Sequence, residues 1–89
     1  MPKAAYSAPM ADLAPEGWIV RVTLGVAVGS MKKVYYYVGE DTAEKAVAIV
    51  MTSITIEVGD AVEAVSRLTD RLLAAITPRL GLGEVRPII

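Results

Sequence analysis

Apolar and polar positions begin to alternate at Trp18. Trp18, Val20, Val22, Leu24 and Val26 fall on one side of an extended chain; Ile19, Arg21, Thr23, Gly25 and Ala27 fall on the other. Alternation with period two, rich in β-branched residues, predicts a strand over 18–28 with one buried face. Lys33 to Val38 reads as a second strand, with Gly29-Ser30-Met31 as the turn between them. Parity sets the loop length. A two-residue loop at Gly29-Ser30 would place Lys33 opposite Val26, on the core side. A three-residue loop pairs Val26 with Val34, Leu24 with Tyr36 and Val22 with Val38, apolar on apolar at every rung. The other face then pairs Ala27 with Lys33, Gly25 with Tyr35 and Thr23 with Tyr37. In that register the Tyr35 ring covers the bare backbone of Gly25.

The period changes after Gly39. Asp41 with Glu44 three residues on has the spacing of a helix capping box. Ala43, Ala46, Val47, Val50, Met51 and Ile54 follow at helical spacing, and Ala48 and Ile49 widen the apolar face. A helix apolar this far round is expected to be sandwiched or to join an oligomer contact.

Two readings fit the next stretch. In the first, Ser53 to Val58 is a strand, Gly59 breaks the chain and Asp60 caps a long helix. Glu63 completes the box, and Val62, Val65, Leu68, Leu72 and Ile76 form the buried stripe. In the second, Ala61 to Arg67 is the strand and Thr69 caps a short helix to Thr77. Local signals favour the first. Pro78 ends the long helix of the first reading. Glu84 to Arg86 has room for a short edge strand. The expected architecture is a single α+β domain over 17–89, in β-β-α-β-α order, with an antiparallel sheet packed by two helices. Met1 to Glu16, with Pro2, Pro9 and Pro15, is expected to be a disordered tail.

Composition sharpens this picture. The chain has 89 residues and is 54% hydrophobic, against a usual ~45–50%. A domain of this size buries only ~60% of its unfolded surface. Excess apolar surface in so small a body points to self-association. The uncharged runs Val22–Met31 and Ala46–Ile56 are shorter than the roughly 17–25 residues of a spanning helix. Ala4 to Pro15 lacks the continuous apolar core of a secretion signal, so a cytoplasmic location is expected. A net charge of −1 argues against strong general attraction to nucleic acid. The absence of cysteine and histidine removes disulfides, thiol nucleophiles and a histidine base.

Motifs with chemistry are few. Gly25-Val-Ala-Val-Gly29 lacks the Lys-Ser/Thr of a phosphate loop, and Gly81-Leu-Gly83 follows a helix instead of opening one. The acidic groups Glu40, Asp41, Glu44 and Glu57, Asp60, Glu63 have cap spacing, not metal-ligand spacing. No catalytic constellation, cofactor or metal site is expected. One surface stands out: Arg21, Thr23, Lys33, Tyr35 and Tyr37 share a sheet face, with Tyr36 turned into the core. Tyrosines beside cations on a sheet suit a protein contact or the stacking of unpaired bases. The expected function is a non-enzymatic interaction or regulatory module that self-associates, as a homodimer or with another protein. The alternatives are single-stranded nucleic-acid binding through that face, or sensing of a small ligand.

Overall fold

In the computed structural model, which describes residues 13–25, 29 and 31–88, the chain forms six elements. They are β1 (Trp18–Leu24), β2 (Lys32–Val38), α1 (Ala43–Ser53), β3 (Ala61–Arg67), α2 (Asp70–Ala75) and β4 (Val85–Ile88). The strands make one antiparallel sheet in the order β3-β1-β2-β4. This is the expected α+β fold, and the C-terminal strand is present.

Strand alternation builds the core. Val20, Val22 and Val38 project from one sheet face and are fully buried against Ala46 and Val50 of α1. Trp18, Tyr36, Val62 and Val85 flank them, half-buried. Each buried valine contributes roughly 1.5–3 kcal/mol by removal from water, as an upper figure. A second cluster, Leu68, Leu73 and Leu80, covers one end of the opposite face with Ile19, Tyr37 and Ile76 around it.

The hairpin register differs from the expected one. Val22 faces Val34, Val20 faces Tyr36 and Trp18 faces Val38. β1 therefore ends at Leu24, four residues before the expected limit. Gly25 has φ +74°, a left-handed conformation that turns the chain out of the ladder. Its N–H donates to Asp60 Oδ1 at 3.1 Å. Residues 26–28 lie outside the described residues, but the expected partners of Val26 and Ala27, Val34 and Lys33, pair with Val22 and Thr23, so those pairings are not formed. The slip is even, so every side chain keeps its expected face. Tyr35 now stands opposite Arg21, and its expected cover over Gly25 is not formed.

The third strand is the second reading, 61–67, and the favoured strand over 53–58 is not formed. Asp60 does not cap a helix. Its carboxylate clamps a turn, accepting from Glu57 N–H at 2.9 Å and from Gly25 N–H. Ala61–Arg67 then pairs with β1 along almost its whole length and satisfies an edge that would otherwise be open. That gain overrides a locally good helix pattern. Val65 and Leu72, expected in the core, are 47% and 52% exposed, whereas Leu73 and Leu80 are buried. Thr69 caps α2, its Oγ1 accepting from Leu72 N–H at 3.1 Å, and the helix ends at Ala75, before Thr77.

Two smaller corrections concern helix and chain starts. Thr42, not Asp41, caps α1, accepting from Lys45 N–H at 3.2 Å. Most of the expected tail lies outside the described residues. Its last residues pack: Ala14 is 3% exposed, its N–H donates to the Leu80 carbonyl at 2.9 Å, and Leu13 bridges Gly81.

Candidate functional site

Two surfaces are left after the core is assembled. The first is the part of the sheet face that α2 does not cover. Cross-strand neighbours share a face. Arg21 lies beside Tyr35, Thr23 beside Lys33, and Ile19 beside Tyr37. The five expected residues thus do share one side. They do not form one open platform. Tyr37 packs against the cluster of Leu68, Leu73 and Leu80. Arg21 is bound to Glu63 of β3 at 2.7 Å and is only 28% exposed. Glu63, and after it Tyr35, holds the guanidinium above its already high ordinary pKa. The Arg21 Nε is buried without a partner. Thr23, Lys33 and Tyr35 remain open to a binding partner, with Lys33 the most exposed of them.

The second surface is the edge of the sheet at β3. The two outer strands differ. β4 has four residues, one of them Pro87, which has no N–H to offer. β3 has seven residues and neither Pro nor Gly. Among the described residues it pairs with β1 on one side only. Within it, Ala64 pairs with Val20 and Ser66 with Ile19, leaving Val65 as an extra residue in a bulge.

Helix α1 stands beside this edge. Ala43, Glu44 and Val47 of α1, with Glu63 and Ala64 of β3, line an open groove of about 480 Å³. Met51, one turn beyond Val47 on α1, is 51% exposed. Val58, on the loop entering β3, is 96% exposed. The groove lining is mostly apolar, with Glu44 and Glu63 as its two charged residues. Sequence reasoning missed it because it needs 61–67 to be a strand. The wide apolar face of α1 was the signal available.

Among the described residues no cluster of three or more Asp or Glu side chains is placed to hold a metal ion. No described helix is long and apolar enough to cross a membrane. No family model, no curated protein and no solved structure matches the chain.

Proposed function

We propose that the chain is a non-enzymatic interaction module that self-associates, a second copy adding its β3 to the open β3 edge. The observation that carries this reading is the inequality of the two sheet edges: β3 is long and free of Pro, and an apolar helix flank runs beside it. Strand addition supplies backbone hydrogen bonds, and the flanking groove supplies side-chain contact. Stable association needs about 1,200–2,000 Å² of buried surface, more than one short ladder provides. Ala43, Val47 and Met51, spaced four apart along α1, extend the contact beyond the ladder. Met51 is exposed and Ala43 and Val47 are half-buried, apolar surface that a partner would cover.

The test is a native mass spectrum of the untagged protein at concentrations from about 1 to 100 μM. A dimer without added mass is expected. A monomer throughout that range overturns the reading, and a mass excess lost on denaturation replaces it with ligand sensing. The groove volume lies within the ~300–1,000 Å³ of small-molecule sites. Its openness and lack of convergent polar groups favour a protein strand over a small molecule. Base stacking has less in its favour, because Tyr37 is packed and Arg21 is already paired.

A further inference from the structure

We infer that Arg67 of each copy seats in the α1–β3 groove of the other, against Glu44, with the two-fold axis between residues 65 and 66. The inference rests on the self-association reading above and adds its register and its specificity contact.

The β-bulge limits the register, and charge complementarity selects within that limit. Trp18 and Val20 lie on the face that α1 covers, so their partners Arg67 and Ala64 lie there too. Glu63, opposite Arg21, and Ser66, opposite Ile19, lie on the other face. In a regular strand Ala64 and Arg67, three apart, would point to opposite faces; the extra Val65 reverses the parity. Paired strands must match face with face. A two-fold axis at Ala64 sets Val62 against Ser66, which face opposite ways. An axis at Val65 sets Glu63 against Arg67, with the same fault. An axis at Glu63 matches faces but sets two Glu63 carboxylates directly opposite, which is unfavourable. Axes at Val62 and between 64 and 65 also match faces, but they leave Arg67 unpaired or opposite Val62; an axis between 65 and 66 matches faces and sets Arg67 of the partner subunit opposite Ala64, at the groove that holds Glu44.

Ala64 is part of the groove lining. The aliphatic stem of the partner's Arg67 then lies over Ala43, Val47 and Ala64, and its guanidinium meets Glu44. Arg67 is free to move there. Its side chain is 51% exposed, and its ion pair with Glu16, at 3.3 Å, is exposed as well. Symmetry makes the contact twice, so a single substitution removes two.

The experiment is sedimentation velocity on the untagged chain and on Arg67→Glu, Glu44→Arg, the double variant, and Arg71→Glu as an exposed control on α2. Each single variant is expected to weaken the dimer about tenfold or more, and the double variant to restore it. The control is expected to match the parent. If Arg67→Glu unfolds through loss of its Glu16 contact, Glu44→Arg reads the same contact from an exposed helix position. Dimers as tight as the parent in either folded single variant, or no rescue in the double, overturn the register while leaving self-association standing. A monomeric parent overturns both.

Discussion

Gly39 shows how closely the chain is packed where it leaves β2. A Cβ there would run into the Gly81 carbonyl oxygen and stand 2.7 Å from Ala14 Cβ. Backbone cannot yield as a side chain can. Gly39→Ala is expected to cost ~2–3 kcal/mol, and each kcal/mol lowers the Tm by roughly 4–8 °C at this size. At Gly17 the nearest atom is Leu68 Cδ1 at 2.7 Å, the far end of a flexible side chain. Gly17→Ala is expected to cost less than half as much, and thermal melts of the two variants check the order. Arg21 gives a pH expectation. Its folded pKa is raised, so its stabilisation is complete below the ordinary value and fades only as pH rises through the raised one. With no His or Cys in the chain, the Tm should vary by no more than roughly 3 °C between about pH 6 and pH 8. A melt series across that range tests it. At this scale the face of each β1 and β2 side chain was legible, because alternation fixes it. Its neighbour was not, because the left-handed turn at Gly25 depends on Asp60, thirty-five residues away.

Among the elements, α2 is held most weakly. Six residues are too few for helix propensity to sustain, so the Thr69 cap and the burial of Leu73 hold it. Thr69→Ala is expected to cost ~1 kcal/mol and to speed amide exchange across 70–75. The matching change Thr42→Ala should fray only the first turn of α1, because Ala46 and Val50 anchor the rest. Amide exchange measured on both variants distinguishes a lost cap from a general loss of stability. Elements of the first half were readable because their periods are long and distinct. The second half was not, since Asp60 and Glu63 fit a capping box as well as a turn followed by a strand. What separates the two is the open side of β1, which only the assembled sheet reveals. The candidate site shared that fate, its lining including Ala64 of the strand that the local pattern disfavoured.

At the scale of the whole molecule the decisive feature is a sheet that, among the described residues, has one guarded edge and one open edge. Pro87 and short length blunt β4. Only a bulge interrupts β3, and its parity admits a face-matched two-fold partner. Joining two copies there would extend the sheet without disturbing either core. It would bring Met51 and Val47 of both copies under cover. The most direct test follows amide exchange in β3 and β4 as the untagged protein is concentrated from about 1 to 300 μM. The account predicts that exchange slows in β3 with concentration while β4 stays unchanged. Exchange in β3 that is independent of concentration in a protein that nonetheless dimerises, or slowing confined to β4, would contradict it.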